Sequence, residues 1–505
     1  MNQNRNLAKA TFQGTMWEYT SQYTGRFLVF ISTAILARLL IKEDFGIAGY
    51  ALVVIGFLEI VEGLGIGSAI IYHHEDKDRL NTAFWIGVGM GLSLFVLSFF
   101  VVAPLAGQFF QDARAVPVTQ ALALVFPLSS LGLVPRALLM KKLAFGRKFV
   151  PEMSRSLSKG IVSVVLALLG FGAWSLIIGQ IAGTAVETLA YWWVVPWRPQ
   201  FRFHRHLATS LLSYGTGVIS MEGLGIVMLN LDYLLIGRYM SAAALGTYTL
   251  AFRVPELLVK QFCNVVGNVT FPIYSRLRDD PQALKRGFLK TMRYMTMLTI
   301  PMGLGLALVS RPFVLTFFTA KWADAIPVMS AIALYTLFRS LVFNAGSVYK
   351  ATGRPGLLSR LSLIQAAITI PALWWAVVTY NTILAVAWMQ VALALFFGLV
   401  KLVMAGHLVN IPLHELAQTF YPSLFAGGLM ALAVWLASQW LINFPPLLEL
   451  LGEVAVGGLV YTLVIWLTQR EDIVQASLLI RSVLRRQGIA GKNEVRPQAG
   501  EMQNL

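Results

Sequence analysis

The amino-acid sequence predicts an all-α polytopic membrane protein with about 14 transmembrane helices. Its 505 residues are 57% hydrophobic and only 13% charged, whereas charged residues make up about 25% of a typical soluble domain. Apolar runs long enough to cross a bilayer as helices occupy most of the chain. Two stretches of the sequence about 200 positions apart also carry matching residues. We therefore expect a helical bundle that contains two copies of one membrane module.

The apolar runs are separated by short polar turns, and they define fourteen predicted spans. These spans are residues 11–40, 46–72, 82–106, 116–140, 152–170, 173–195, 208–237, 244–273, 287–309, 325–349, 357–379, 382–406, 418–442 and 447–468. Between the ninth and tenth spans, residues 313–318 are a candidate for a short re-entrant segment. After the last span, residues 469–486 alternate apolar and basic side chains at helical spacing, which predicts an interfacial helix.

The loop charges predict the orientation of the chain in the membrane. One set of alternate loops, taken with both termini and with Arg360 and Lys401 near the span ends, contains 25 Lys and Arg residues, and the other set, taken with Arg38, contains 6. Because short cytoplasmic loops carry the excess of basic residues, we expect both termini to be cytoplasmic. The net charge of +16 does not indicate nucleic-acid binding, since the basic residues lie in these short loops.

Matching residues indicate an internal repeat. Arg38 and Arg238 end apolar segments, and Gly46 and Gly246 open the next ones, in both cases at an offset of 200. Further matches follow the fourth and tenth spans at offsets of 207 and 205. Six spans separate the copies, so both copies have the same orientation, as in transporters whose halves are related by an axis along the membrane normal. The alternative is that membrane helices resemble one another by composition alone.

The repeat predicts how the chain is divided. Residues 1–206 would form a first lobe with six spans, and residues 207–410 a second lobe with six spans. Residues 411–468 would add two further helices, and residues 469–505 would form an amphipathic and disordered cytoplasmic tail.

Ionisable residues inside the spans are the candidate functional residues, because they are costly at membrane depth and usually face a bundle interior or a wet cavity. The candidate substrate-binding cations are Arg26, Arg136, Arg253, Lys260 and Arg339. The candidate ion-coupling acids are Glu59, Glu62, Asp232 and Glu256. Cations match or exceed anions, which favours an anionic substrate, and a diphosphate is the obvious one since guanidinium groups bind phosphate in a fork.

Structural pairing is the alternative for each of these charges. Arg26 could be neutralised by Glu18 or Glu222, because an unpaired buried arginine is prohibitive. The stripe Arg253, Glu256 and Lys260 could likewise be paired within one helix face.

Two further features of these helices bear on mechanism. Glu59 and Glu62 are one turn apart, and they could either couple transport to protons or neutralise cations across the cavity. Pro255 interrupts the helix that carries the stripe and provides a bend point. Arg155 lies near the cytoplasmic end of its span, where we expect it to snorkel to the interface.

Catalytic signatures are missing from the sequence, which favours a transporter without a cofactor over an enzyme. The loops next to the spans are too short to hold a soluble catalytic domain, and there is no Walker motif. The single cysteine, Cys263, excludes an internal disulfide, and no residues have metal-ligand spacing.

Several segments resemble the Wzx-type lipid-linked oligosaccharide flippases, in the branch of the colanic acid exporters. The matching segments are ARLLIKEDFG (37–46), GLGIGSAIIYHHEDKDRLNTAFW (63–85), PRALLMKKLAFGRKF (135–149), residues 230–280 and residues 318–355. The family belongs to the multidrug/oligosaccharidyl-lipid/polysaccharide exporter superfamily. The resemblance implies two six-helix lobes around a central cleft whose walls come largely from spans 1, 2, 7 and 8.

The resemblance also implies a task. An undecaprenyl-diphosphate-linked oligosaccharide repeat unit would cross the bacterial inner membrane by alternating access, for exopolysaccharide or lipopolysaccharide synthesis. A polymerase or export complex is a candidate partner. A lipid II flippase is the main alternative. A drug/cation antiporter would line its cavity with acids, and a membrane polymerase would need larger external loops. A scaffold protein would not need the buried charges.

Overall fold

The computed structural model describes residues 24–63, 66–72, 76–142, 144–471 and 474 of the chain. Within these residues every regular element is a helix, so the predicted all-α fold is confirmed. The predicted Glu18 and the interfacial helix at 469–486 fall outside the described residues, apart from a few positions at the start of the latter. The side chains of Glu222 and Lys260 also lie outside the description.

Each of the fourteen predicted spans has a helical counterpart in the described residues. The helices are α1 (24–39), α2 (Lys42–Gly63, continued by Ile66–Tyr72), α3 (Lys77–Phe110), α4 (Ala115–Lys141), α5 (Phe145–Leu168), α6 (Ala173–Val194), α7 (Arg205–Tyr239), α8 (Ala242–Pro255, continued to Arg276), α9 (Pro281–Leu308, followed by Ser310–Phe317), α10 (Ala325–Ala351), α11 (Pro355–Tyr380), α12 (Ile383–Leu408), α13 (Leu413–Leu441) and α14 (Pro446–Thr468).

Eight of these helices are long and apolar enough to cross a membrane by themselves, and the bent pair of α9 would be a ninth. The remaining five described helices are α1, α2, α5, α7 and α8, which carry several charged residues or are described only in part. The chain is therefore a multi-pass membrane protein. We expect a polar cavity next to the helices that carry several charged residues.

Two helices are interrupted as the sequence suggested. In α9 the segment Ser310–Phe317 is bent by 68° from Pro281–Leu308, at the place of the predicted re-entrant segment. In α8 the α-helix ends at Pro255, and a π-helical turn, Glu256–Lys260, follows before the α-helix resumes at Gln261. Proline has no N–H for the helical ladder, and single π-helical turns are frequent at functional sites.

The two repeat-related glycines meet in the structure. A Cβ atom on Gly46 would lie 1.8 Å from the carbonyl oxygen of Ala242, and one on Gly246 would lie 2.0 Å from the carbonyl oxygen of Lys42. The contact is reciprocal, as expected about a two-fold axis. The helices α2 and α8 therefore touch backbone to backbone at the ends where they begin, which only glycine permits.

Further contacts join the two halves at the same end of the bundle, which we call the closed end. Lys321 Nζ donates to the carbonyl oxygen of Leu40 at 2.7 Å, and Trp322 Nε1 donates to that of Ala37 at 2.7 Å. Lys42 forms an ion pair with Asp324. The largest buried apolar cluster contains residues of both halves, including Leu36, Phe45, Leu245 and Trp322. The division of the chain at residues 206 and 410 remains a prediction.

We predict that Gly46→Ala weakens this contact. The added methyl group has no room beside Ala242, and overpacking of this kind costs about 1–3 kcal/mol. Thermal unfolding of the purified protein should therefore shift to lower temperature, although alanine favours a helix by about 1 kcal/mol over glycine.

Gly56→Ala is the matched control in the same helix, because a Cβ atom there meets nothing within 4 Å. We expect it to leave the melting temperature unchanged or to raise it. Equal melting temperatures for the two variants would show that α2 and α8 are not held together at Gly46.

Candidate functional site

A cavity of about 610 Å³ lies between α1, α4, α5, α6 and α8, and we call it the basic cavity. Helix α1 brings Arg26 to it, and the interrupted segment of α8 brings Arg253 and Glu256. The remaining charged lining residues are Arg136 on α4, Lys148, Glu152 and Arg155 on α5, and Glu187 on α6. Five cations thus face three carboxylates among the described lining residues, which leaves the cavity positively charged.

Two of the carboxylates are used in ion pairs at the wall of the basic cavity. Arg155 Nη1 lies 3.0 Å from Glu187 Oε2, which joins α5 to α6. Lys148 Nζ lies 3.0 Å from Glu152 Oε1, one turn away on the same helix. These ion pairs stabilise the helices of the cavity wall, but they do not neutralise all of the positive charge in the cavity.

The three predicted arginines of the basic cavity are differently placed. In the described part of the chain, neither Arg26 nor Arg136 nor Arg253 forms an ion pair with a carboxylate. Arg136 is exposed although it lies within a membrane helix, and Arg26 and Arg253 are half-buried. Lys159, one turn beyond Arg155, lies within electrostatic range of Arg253. Guanidinium groups without a carboxylate partner can bind a phosphate or carboxylate ligand in a bidentate manner.

Glu59 and Glu62 lie beside the basic cavity rather than in its lining. Glu62 accepts a hydrogen bond from Ser129 Oγ on α4. Glu59 is exposed and lies within electrostatic range of Arg136, Arg155 and Lys159. Both acids are therefore close enough to these cations for their ionisation to change when an anionic ligand neutralises the cations.

Asp232 occupies a different environment, deep in the second half of the chain. Its side chain is buried, and it accepts hydrogen bonds from Tyr248 Oη at 2.7 Å, from Gln390 Nε2 at 3.2 Å and from the Tyr233 backbone N–H at 3.0 Å. These donors come from α7, α8 and α12. The carboxylate is thus a junction between three helices, and it borders a small cavity of about 260 Å³.

Arg339 is separate from the other predicted cations. It lies on α10, exposed, and lines the small cavity together with a third cavity of about 730 Å³, which we call the C-terminal cavity. Glu256 lines both the basic cavity and the small cavity. The structure therefore gathers Arg26, Arg136, Arg253 and Glu256 in one place, and in place of the single cleft implied by the family resemblance it has separate cavities that share lining residues.

Arg155 pairs with Glu187 in the cavity wall, a partner that the sequence did not indicate, and its snorkelling to the interface stays a prediction. Lys148 falls between the fourth and fifth predicted spans, yet it lies in α5 and lines the same cavity. A signal for both was present in the sequence. Lys148, Glu152, Arg155 and Lys159 follow at intervals of four, three and four residues, which places them on one helix face.

Comparison with known proteins shows similarity over almost the whole chain. The family described as "Polysaccharide biosynthesis protein" matches residues 35–327, more than half of the sequence. The succinoglycan biosynthesis transport protein ExoT of Rhizobium meliloti (strain 1021) is 27% identical over 96% of this chain and 99% of its own length. The teichuronic acid biosynthesis protein TuaB of Bacillus subtilis (strain 168) is 26% identical over 90% of this chain and 95% of its own length.

A further relative and two solved structures agree with this result. The lipopolysaccharide biosynthesis protein WzxC of Escherichia coli (strain K12) is 27% identical over 73% of this chain and 75% of its own length. The inward closed conformation of the lipid II flippase MurJ superimposes with a TM-score of 0.70 at 16% identity, covering 91% of this chain and all of MurJ. An inward-facing multidrug resistance MATE transporter gives 0.60 at 15% identity, with 76% and 94% covered. The fold is therefore that of these transporters.

We predict that Glu187→Gln destabilises the protein, because it leaves the Arg155 guanidinium in the cavity wall without its carboxylate. Arg155 keeps some solvent contact, with 38% of its side chain exposed, so we expect a loss of about 1–2 kcal/mol, less than for a fully buried pair. Thermal unfolding in detergent would measure it.

Asp279→Asn is the control, because Asp279 belongs to an ion pair whose side chains are 66% and 87% exposed, and such surface pairs contribute little. A double variant, Arg155→Gln with Glu187→Gln, should recover part of the loss. Stability losses that simply add would contradict a direct interaction between the two side chains.

Proposed function

The chain belongs to the polysaccharide biosynthesis protein family, and we propose that it is a flippase that moves a polyprenyl-diphosphate-linked oligosaccharide repeat unit across the bacterial inner membrane. Relatives that match it over most of their length are named as transport or biosynthesis proteins for succinoglycan, teichuronic acid and lipopolysaccharide. The chain is thus a transporter and not an enzyme, and the substrate that we propose for it is the lipid-linked saccharide.

The excess of positive charge in the basic cavity is the observation that carries this proposal. Five cations face three carboxylates there, and Arg26, Arg136 and Arg253 have no ion pair among the described residues. A diphosphate carries several negative charges and presents oxygens to which guanidinium groups bind in forks. Its binding would offset the desolvation that these arginines suffer within the membrane.

The closed end supports a cycle of alternating access. The loops at this end contain few Lys and Arg residues, so the loop charges place it on the outer side of the membrane. In the present conformation the contacts of Gly46 with Ala242 and of Lys42 with Asp324 block that side. The substrate headgroup would enter the basic cavity from the cytoplasm, while the polyprenyl chain stays in the lipid. Separation of α2 from α8 would then open the outer side.

Coupling and assembly complete the proposal. Glu59 and Glu62 are the candidates for proton or sodium coupling, because they lie next to the cations that the substrate would neutralise. Glu256, in the π-helical turn of α8, is a candidate for coupling the ionisation of these two acids to bending of α8 at that turn. Both termini would be cytoplasmic, and a polymerase or export complex would receive the repeat unit on the outer face.

Two other transport functions are less well supported. A drug/cation antiporter would require a negatively charged cavity, which the cation excess disfavours. A lipid II flippase would use a similar diphosphate site, and the likeness to MurJ at 16% identity concerns the fold. The polysaccharide proteins match the chain at higher identity over most of its length, so we favour a polysaccharide repeat unit.

We predict that cells without this gene accumulate lipid-linked repeat units on the cytoplasmic side, and that the wild-type gene restores the normal pool. Arg253→Gln removes a cation that has no ion pair among the described residues, and losing one charge-assisted phosphate contact is worth about 1.5–3 kcal/mol. We therefore expect it to restore transport poorly, in a lipid-pool assay normalised to protein level in the membrane.

Arg278→Gln is the matched control, because Arg278 is exposed and paired only with the exposed Asp279 in the described structure. It should restore the pool as well as the wild type. A normal lipid-linked pool in the deletion cells, with unpolymerised repeats outside, would place the protein after the flipping step and refute the proposal.

A further inference from the structure

The C-terminal cavity has its own chemistry, distinct from that of the basic cavity. It occupies about 730 Å³ between α7, α10, α11 and α12. Two cations, Arg339 and Lys401, line it, and none of its described lining residues is acidic. A cavity of this size with positive charge and no carboxylate is arranged for an anionic group.

Neutral side chains hold both cations in place. Arg339 Nη1 donates to Tyr335 Oη at 3.0 Å, and its guanidinium carbon lies 5.9 Å from the centre of the Tyr335 ring. Lys401 Nζ donates to Gln365 Oε1 at 2.6 Å and to Ser362 Oγ at 3.4 Å. Neither cation has an ion pair with a described carboxylate. Both cations are thus held by neutral groups, and the acids within electrostatic range of Arg339, which are Glu256 and Asp232, line the small cavity.

The C-terminal cavity adjoins the basic cavity through the small cavity. The small cavity shares Tyr335, Arg339 and Gln390 with the C-terminal cavity, and it shares Glu256 with the basic cavity. The small cavity therefore lies between the other two, and a ligand that reached both Arg253 and Lys401 would pass Glu256 and Arg339. Since the diphosphate of the proposed substrate would occupy the basic cavity, the part that reaches the C-terminal cavity is its glycan.

Resting on the proposed function, we propose that the C-terminal cavity is a glycan subsite in which Arg339 and Lys401 bind a carboxylate group of an acidic sugar residue. Beyond the diphosphate, a carboxylate on a sugar residue is an anionic group that a glycan can bring there, and it matches the forked geometry of a guanidinium group. Gln390 and Ser359 provide hydrogen-bonding groups for sugar hydroxyls, and Phe343 and Phe397 provide apolar faces. The transported repeat unit is therefore an acidic oligosaccharide.

A binding measurement with two matched probes tests this subsite. The full-length protein is placed in nanodiscs of phosphatidylcholine, and trigalacturonate is compared with its fully methyl-esterified form by calorimetry. We expect the wild type to bind the acid about tenfold more tightly than the ester, as for one charge-assisted contact. Arg339→Gln and Lys401→Gln should each reduce this preference, Arg339→Lys should retain most of it, and Arg278→Gln should leave it unchanged.

Equal affinities of the wild type for the acid and the ester would overturn the proposal. A preference that survives both Arg339→Gln and Lys401→Gln but disappears in Arg253→Gln would also overturn it, because the carboxylate would then bind in the basic cavity. The lipid-pool assay separates the two proposals. A wild-type protein that restores the pool but shows no preference for the acid would leave the flippase function standing and remove the acidic-sugar subsite.

Discussion

The free-energy cost of an ionic group in a membrane governs the architecture of this protein. Arginine at bilayer depth is tolerated only where water, a counter-charge or a ligand surrounds it. The fold meets part of this requirement with the pair between Arg155 and Glu187, which ties α5 to α6. It leaves Arg26, Arg136 and Arg253 around one cavity without such a pair in the described chain. We propose that this residual charge attracts an anion and that a substrate diphosphate would supply the missing counter-charge.

Packing at the closed end maintains the basic cavity. Helices α2 and α8 approach to backbone contact at Gly46 and Gly246, and the Lys42–Asp324 pair reinforces this end. Because the halves are joined there, the helices that bear Arg26 and Arg253 can remain apart further along the bundle. The π-helical turn after Pro255 lies next to Arg253, so movement of α8 at this break would reposition the cation. The same helix thus links the closed end to the binding site.

Much of the fold could be predicted from sequence, because hydropathy and charge report directly on the membrane environment. Apolar runs predicted the fourteen helices, and the internal repeat indicated Gly46 and Gly246, at which α2 and α8 come into contact in the structure. The distribution of the site residues was less accessible. Asp232 meets Gln390 from a helix 158 positions away, and such long-range pairing leaves no local pattern. Arg339 looked equivalent to Arg253 in the sequence, and only the packing of α10 against α12 places it in another compartment. The charged residues Lys148, Glu152, Arg155 and Lys159 share one face of α5, a pattern that is present in the sequence. Because they lie close to basic loop residues, the pattern is hard to tell from a loop.

The most direct test of this account is the binding of undecaprenyl diphosphate to the purified protein, compared with binding of the uncharged undecaprenol. Calorimetry in nanodiscs at two salt concentrations would separate the contribution of the charged headgroup to binding from that of the apolar tail. The account predicts that the diphosphate binds much more tightly, that added salt weakens its binding, and that Arg26→Gln and Arg253→Gln each abolish most of the difference. Equal binding of the two lipids, or a difference that both variants retain, would contradict the claim that the unpaired arginines hold the diphosphate.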